Sequence, residues 1–303
     1  MNQEIGKKLL SILKVEQVKK DEPMKIHTTF RVGGPASYFV TPETEEEVAK
    51  VIEVCTQKNV PYYIVGNGSN LLVSDQGYEG VIIQIYKQMN QVEITENEIH
   101  AQAGALLSMI ANRAMEAELT GFEFAAGIPG TLGGACVMNA GAYGGEMKDV
   151  LETVTVLTRD GDVKTLTKDE LELGYRTSVI AKKDYIVLSA VIRLENGKKE
   201  EIKAVMDDLK EKRITKQPLE YPSAGSTFKR PEGYFAGKLI QDAGLRGFQV
   251  GGAQVSEKHC GFVVNKDQAT AADVMNLMNQ VSDKVYEMSG VRLEPEVKRL
   301  GVF

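Results

Sequence analysis

The chain has 303 residues, 43% hydrophobic and 26% charged, with 36 basic against 42 acidic side chains and a formal net charge of -6. That length is enough for two domains with sizeable cores, and the acidic balance argues against a general nucleic-acid binder while allowing a local basic patch that grips a phosphate. Cys55, Cys136 and Cys260 lie far apart, odd in number and without a C-x-x-C pair, so no disulfide framework is expected and a reducing cytoplasm fits.

Ile5, Leu9, Ile12 and Leu13 recur among lysines and glutamates, a spacing that predicts an amphipathic N-terminal helix within 1–23. No apolar run long enough for a signal peptide or membrane span occurs there or later. Short strands then alternate with single helices. "ASYFVTP" reads as a strand, and Thr41-Pro42 as the N-cap and first turn of a helix with Val48, Val51, Ile52 and Cys55 on its apolar face. "VPYYIVGNGSNLLVS" gives strand, glycine turn and strand, "GVIIQIY" a further strand, and "QVEITENEIHAQAG" a hairpin turning near Glu96-Asn97.

A helix is expected from about Ala105 to Leu119, followed by a stretch over 121–145 rich in Gly and Ala. "LETVTVLTRDGDVKTLT" is a hairpin through Asp160-Gly161, "DYIVLSAVIRL" a strand, and "KKEEIKAVMDDLKEKRITKQP" a highly charged helix ending before Pro218. Beyond it come a short helix near Tyr234 to Asp242, strands around "FQVGGAQV" and "CGFVVN", and a helix from about Thr270 to Met288 stopped by Gly290. Met275 and Met278 on that helix read as packing residues. The tail "VRLEPEVKRLGVF" reads as a final strand, and with no internal repeat the pattern is mixed α+β.

Two glycine loops stand out. "VGNGSN" (65–70) follows a strand, yet Leu71 occupies the third glycine position of a dinucleotide fingerprint, and neither a helix pattern nor an acid about 20 residues on follows. Its small residues could form a backbone nest for a diphosphate or only a β-turn. "AGIPGTLGGA" (126–135) carries apolar anchors that flexible linkers lack. Two loops free of bulky side chains suggest one extended ligand whose diphosphate lies between them.

Residues 222–230, "PSAGSTFKR", set Ser226 before the cations Lys229 and Arg230. A nucleophile elbow needs G-x-S-x-G, whereas Ala224 and Phe228 stand at the two glycine positions. Taken singly, Ser226 is a turn residue, Arg176 of "YRTS" a surface cation, and Glu296 of "LEPEV" a solvent-facing strand residue. His259 of "SEKHCGFVVN" reads equally as a satisfied histidine or a nucleotide contact. There is no acidic cluster with metal-ligand spacing, so no metal is expected.

Together, "HTTFRVGG" (27–34), "VGNGSNLLV" (65–73), "AGIPGTLGGACVMNAGAYGGE" (126–146), "YRTS" (175–178), "AGSTFKRP" (224–231) and "LEPEVKRLG" (293–301) resemble, in order and over nearly the whole chain, the UDP-N-acetylenolpyruvoylglucosamine reductase family. The resemblance implies an α+β fold, with a two-part FAD-binding domain of the vanillyl-alcohol-oxidase (PCMH) type and a smaller substrate-binding domain. It implies an N-terminal helix at 1–23, the FAD domain over 24–195 (subdomains about 24–86 and 87–195), a linker helix at 196–218 and the substrate domain over 219–303, whose last strand returns to the active site.

The activity implied is reduction of UDP-N-acetylglucosamine enolpyruvate to UDP-N-acetylmuramate by NADPH through FAD, in the cytoplasm, by a monomer with no nucleic-acid or membrane partner. Cofactor contacts fall on Gly66, Asn67, Gly68, Ser69 and Asn70, on Gly127, Gly130, Gly133 and Gly134, and on Asn139 and Gly141. Ser226 would protonate the enolate left by hydride transfer, Arg176 would stabilise its charge, and Glu296 would bind the same group or hold Arg176. Tyr175, Lys229 and Arg230 would contact the nucleotide-sugar. Arg230 and Lys298 depart from members with Asn and Arg at those positions, and the short interval between "YRTS" and "AGSTF" resembles the type II subclass. An FAD-dependent alcohol oxidase and a non-catalytic nucleotide-sugar-binding regulator are the alternatives.

Overall fold

The run Leu151–Leu157 buries Leu151, Val154, Val156 and Leu157, and it belongs to a five-stranded sheet with the order Val163–Thr167, Leu151–Leu157, Ile186–Arg193, Glu98–Gln102, Val92–Thr95. All of its neighbours are antiparallel. Its hairpins turn where the sequence predicts, with φ +53° at Glu96 and +90° at Gly161. This computed structural model describes residues 3–303, which form two compact units interleaved along the chain. Unit 1 comprises 1–19, 39–67 and 81–213; unit 2 comprises 20–38, 68–80 and 214–303. Segments 20–38 and 68–80, inside the span expected for the FAD domain, thus cluster with the C-terminal residues.

Unit 1 holds α1 (Gln3–Leu10), α2 (Glu45–Gln57), α3 (Leu107–Glu116), α4 (Leu132–Met138), the single turns α5 (Met147–Val150) and α6 (Val179–Lys182), and most of α7 (Lys199–Lys216). The helix expected within 1–23 stops at Leu10, and Val18–Pro23 is a strand; residues 1 and 2 lie outside the described residues. Asp21 at φ +51° and Pro23 are both incompatible with a continuing helix. The cap of α2 is Thr44, not Thr41: its Oγ1 accepts the Glu47 N–H at 3.1 Å, the bond that defines an N-cap. The predicted face of Val48, Val51, Ile52 and Cys55 is buried. Tyr62–Val65 lies parallel to Val81, Ile82, Ile83 and Gln84 of the strand Tyr78–Gln84.

Unit 2 carries a four-stranded antiparallel sheet with the order Ser223–Ser226, Phe262–Asn265, Ala253–Val255, Gln249–Val250. With α8 (Ala236–Asp242) and α9 (Ala271–Ser289) it forms a core that includes Phe30, Leu72, Phe228, Val263, Leu277 and Val281. The start of α9 is tied twice: a Thr270–Asp273 capping box, and the Asp75 carboxylate accepting the Ala271 and Ala272 N–H at 2.8 and 2.9 Å. Gly290 at φ +70° ends it in the left-handed conformation that lets a backbone turn away. Only Lys298–Leu300 of the tail is a strand, parallel to Leu71–Val73. Before it, pairing shrinks to one isolated antiparallel bridge between Pro295 and Phe228, made by the flanking Glu294 carbonyl and Glu296 N–H so that the proline needs no N–H of its own.

Candidate functional site

In unit 1 the two glycine loops meet. Asn67 Nδ2 donates to the Pro129 carbonyl at 2.8 Å, Gln84 Nε2 to the Gly66 carbonyl at 3.3 Å, and a Cβ on Gly66 would collide with Thr131 Oγ1. At the start of α4 the Leu132 and Gly133 N–H donate to the Ala105 and Ala103 carbonyls, both at 2.8 Å, and the Ala135 N–H to Thr131 at 3.0 Å. These bonds leave the exposed Gly134 N–H for another acceptor, and a Cβ there would meet only Thr131 Oγ1, at 3.7 Å. A backbone donor beside an uncrowded glycine suits a diphosphate oxygen.

Arg213, near the C-terminal end of α7, lies against this loop. A Cβ on Gly127 would stand 2.7 Å from Arg213 Nε, and the guanidinium is 6.0 Å from the Tyr143 ring centroid. Burial lowers the Arg213 pKa, and Tyr143 opposes that shift. No motif marks this arginine, and its partner Gly127 is distant in sequence, so sequence reading missed it.

Arg176 sits at the third position of a four-residue turn closed by the Thr177 N–H donating to the Gly174 carbonyl at 3.2 Å. Its φ is +54°, a region that costs a non-glycine residue about 1–2 kcal/mol. The guanidinium lies 5.2 Å from the ring centroid of exposed Tyr175. Asn139 and Gly141, expected at the cofactor, are engaged within the protein. Asn139 is fully buried at the left-handed C-cap of α4, its amide donating to the Gly174 carbonyl (3.1 Å) and Glu146 Oε2 (2.8 Å) and accepting the Lys148 N–H (2.9 Å). A Cβ on Gly141 would stand 2.7 Å from the Gly145 carbonyl of its partner strand.

Unit 2 contains the remainder of the first loop. Gly68 has φ +63° and leaves no room for a Cβ against the His27 carbonyl, while the Thr29 N–H donates to the Gly68 carbonyl at 3.2 Å. Thr29 Oγ1 is buried without a partner, a hydroxyl whose desolvation a bound polar ligand would offset. Within unit 2, this unpartnered hydroxyl beside a glycine backbone suits a polar ligand such as the flavin nucleotide that the loops suggest.

Ser226 is exposed at the end of its strand, after Gly225 at φ +75°. Buried Thr227 fixes it: its N–H donates to the Gly261 carbonyl (2.9 Å), its Oγ1 accepts the Val263 N–H (2.9 Å), and its carbonyl accepts the Glu296 N–H (2.8 Å). Asn70 completes the brace, donating from Nδ2 to the Glu296 carbonyl at 3.3 Å and accepting the Lys298 N–H at 3.1 Å. Ser226 and Glu296 are therefore brought together by backbone bonds, with Glu296 half-buried in an irregular segment and not on an alternating strand.

Half-buried Lys229 pairs through Nζ with Glu294 at 3.1 Å. The Arg230 guanidinium lies 4.0 Å from the ring centroid of exposed Phe235. His259 Nδ1 accepts the Gly261 N–H at 3.1 Å, and burial lowers its pKa, so the neutral ring carries its proton on Nε2. Among the described residues no group of three His, Cys, Asp or Glu could hold a metal, and no helix is long and apolar enough to cross a membrane.

Residues 36–167 match an FAD binding domain model, and residues 217–300 the C-terminal domain model of UDP-N-acetylenolpyruvoylglucosamine reductase. The enzyme of that name from Agathobacter rectalis is 56% identical over 315 aligned residues, covering 100% of both chains, and the one from Clostridioides difficile is 54% identical over 300, covering 99% of each. The crystal structure of UDP-N-acetylenolpyruvylglucosamine reductase (MurB) from Thermus caldophilus superposes with a TM-score of 0.80 at 38% identity, over 92% of this chain and 97% of that one. A more distant likeness, to alkyldihydroxyacetonephosphate synthase (TM-score 0.51, 19% identity, 65% of this chain and 41% of that one), concerns the fold alone. The chain belongs to the UDP-N-acetylenolpyruvoylglucosamine reductase (MurB) family.

Proposed function

We propose that this chain reduces the enolpyruvyl double bond of UDP-N-acetylglucosamine enolpyruvate with NADPH, forming UDP-N-acetylmuramate for peptidoglycan in the cytoplasm. The observation that carries the reading is the direct tie between the Ser226–Thr227 strand end and Glu296, made by the Glu296 N–H and the Thr227 carbonyl at 2.8 Å. It sets a weak acid and a carboxylate on adjoining backbone, joined through the antiparallel bridge between Phe228 and Pro295. Bound FAD supplies the hydride relay between NADPH and substrate. The glycines of 127–134, with Gly66 and Asn67, would hold its diphosphate in unit 1; Gly68, Ser69, Asn70 and Thr29 are the contacts of unit 2.

Hydride arriving at the terminal carbon of the double bond moves an electron pair toward the neighbouring carboxylate, giving an enolate. Arg176 meets that charge with a planar, permanently protonated pair of donors. The Ser226 hydroxyl then gives its proton to the second carbon; a serine is a feeble acid, but an enolate is a strong base and needs only an aimed donor. The alkoxide is reprotonated from solvent, so the balance is one hydride and one proton added and NADPH converted to NADP⁺. Glu296, when protonated, would donate a hydrogen bond to the same carboxylate. Lys229 is suited to the substrate diphosphate, and Tyr175 and Arg230 to its nucleotide-sugar surface.

The test is colorimetric. Purified protein loaded with FAD should be yellow, bleach on NADPH, and recolour anaerobically only when the enolpyruvyl nucleotide-sugar is added. Protein that cannot take up FAD contradicts the proposal, as does recolouring by simple alcohols in place of that substrate.

A further inference from the structure

One short helix serves two ends of unit 1. The N-terminal turn of α4 belongs to the glycine loop, and its C-terminal end grips both flanks of the turn that carries Arg176. Before Arg176, Asn139 Nδ2 donates to the Gly174 carbonyl at 3.1 Å. After it, fully buried Ser178 donates from Oγ to the Val137 carbonyl at 2.6 Å and caps α6 by accepting the Ala181 N–H at 3.1 Å. The turn between these ties is closed by the Gly174–Thr177 backbone pair and holds Arg176 at φ +54°. A left-handed arginine persists only where its surroundings over-determine it.

Asn139 itself is fixed on every side. Both amide protons and the amide oxygen have protein partners, and its own φ is +46°. Glu146, which accepts one of those protons, also pairs with Lys148. A buried amide with all of these bonds made is rigid, and a half-made set would be costly.

We infer that Asn139, with Ser178, is a positioning residue for Arg176, holding the strained turn so that the guanidinium is preset for the charge that develops on the substrate. The inference rests on the reading of Arg176 as the group that meets that charge. Asn139 touches neither substrate nor cofactor in this role; it acts through the Gly174 carbonyl.

Asn139→Gly is the variant of choice, because glycine accepts the left-handed backbone while the amide is deleted. On FAD-loaded protein it is compared with Arg176→Ala and the double variant. Bound flavin and its bleaching by NADPH should be unchanged. Recolouring by the enolpyruvyl substrate should slow about 10- to 100-fold, the scale of a sub-ångström to ångström misplacement, and Asn139→Gly should add nothing in the Arg176→Ala background. Amide exchange at Thr177, measured without substrate, should rise. Recolouring at the parent rate in Asn139→Gly with Arg176→Ala slow overturns this inference alone, and so does a slowdown that multiplies with that of Arg176→Ala. Arg176→Ala at the parent rate overturns the reading of Arg176 as well. If Asn139→Gly does not fold, Ser178→Ala enters the same cycle with the same outcomes.

Discussion

The Arg176 turn and the Ser226 strand end are held by different kinds of bond. In unit 1 two side chains, Asn139 and Ser178, reach the flanks of the turn and leave its tip at positive φ. In unit 2 the backbone does most of the work: Thr227 bonds Gly261 through its N–H and Glu296 through its carbonyl, as part of a sheet edge. The guanidinium proposed to meet a developing charge is set by a few replaceable side chains. The hydroxyl proposed to deliver one proton is set by a ladder that a side-chain mutation cannot remove. Substitutions near Arg176 should therefore change rate and stability together, and substitutions near Ser226 should separate into pure chemistry and pure stability.

The largest expected effect tests the chemical side of that division. Ser226 is exposed, and the bonds that fix its strand end are made by its neighbours, so Ser226→Ala should fold and bind FAD normally. NADPH should bleach the flavin at the parent rate, while recolouring by the enolpyruvyl substrate should slow ~10²- to 10⁴-fold, the usual loss for a general acid. Stopped-flow absorbance separates the two half-reactions. Equal slowing of both would show that the serine supports the cofactor and not the proton transfer.

Thr227→Val tests the structural side. It keeps shape but deletes the oxygen that accepts the Val263 N–H at 2.9 Å, in a residue that is fully buried. A buried donor left unpaired costs about 1–3 kcal/mol, readable as a lower denaturation midpoint. The Thr227 backbone bonds to Gly261 and Glu296 remain, so recolouring should stay within a few-fold of the parent. A large rate loss at unchanged stability would mean that the side chain, and not the ladder, aims Ser226.

Much of the fold was legible in the sequence because its elements are local. The α9 face of Val274, Leu277, Met278, Val281 and Val285 is buried as its period predicts, and the hairpins turn at Glu96 and Gly161 as expected. The failures lie where one strong local signal hid another: Thr41-Pro42 imitated a cap three residues before Thr44 supplied it, and the lysine-rich N-terminal segment concealed the strand Val18–Pro23. In the candidate site the motifs marked Ser226, Arg176 and Glu296, but not what holds them. The family resemblance marks Asn139 of "VMNAG" only as a cofactor contact, and its bond to the Gly174 carbonyl spans 35 positions of sequence. Arg213 against Gly127 and Asn70 bracing Glu296 are equally non-local, and no periodicity or spacing encodes them.

The mildest test reads the rigidity of the two regions through cysteines that neither uses for chemistry. Cys136 lies fully buried in α4, and burial pushes its thiol up to about 12; Cys260 lies between His259 and Gly261, 5% exposed, and burial raises its thiol too, with Arg246 opposing. Alkylating reagents attack the thiolate, so near pH 8 a thiol of pKa about 12 presents only ~10⁻⁴ of its population in reactive form unless the region opens. Labelling of Cys136 in native protein should therefore lag well behind that of Cys260 and rise with pH, followed by mass spectrometry of peptides. Asn139→Gly should accelerate Cys136 labelling, since it loosens the C-terminal end of α4, and leave Cys260 unchanged. Acceleration at both thiols would show that the substitution relaxes the whole chain, and the division between a side-chain-held turn and a backbone-held strand end would lose its physical basis.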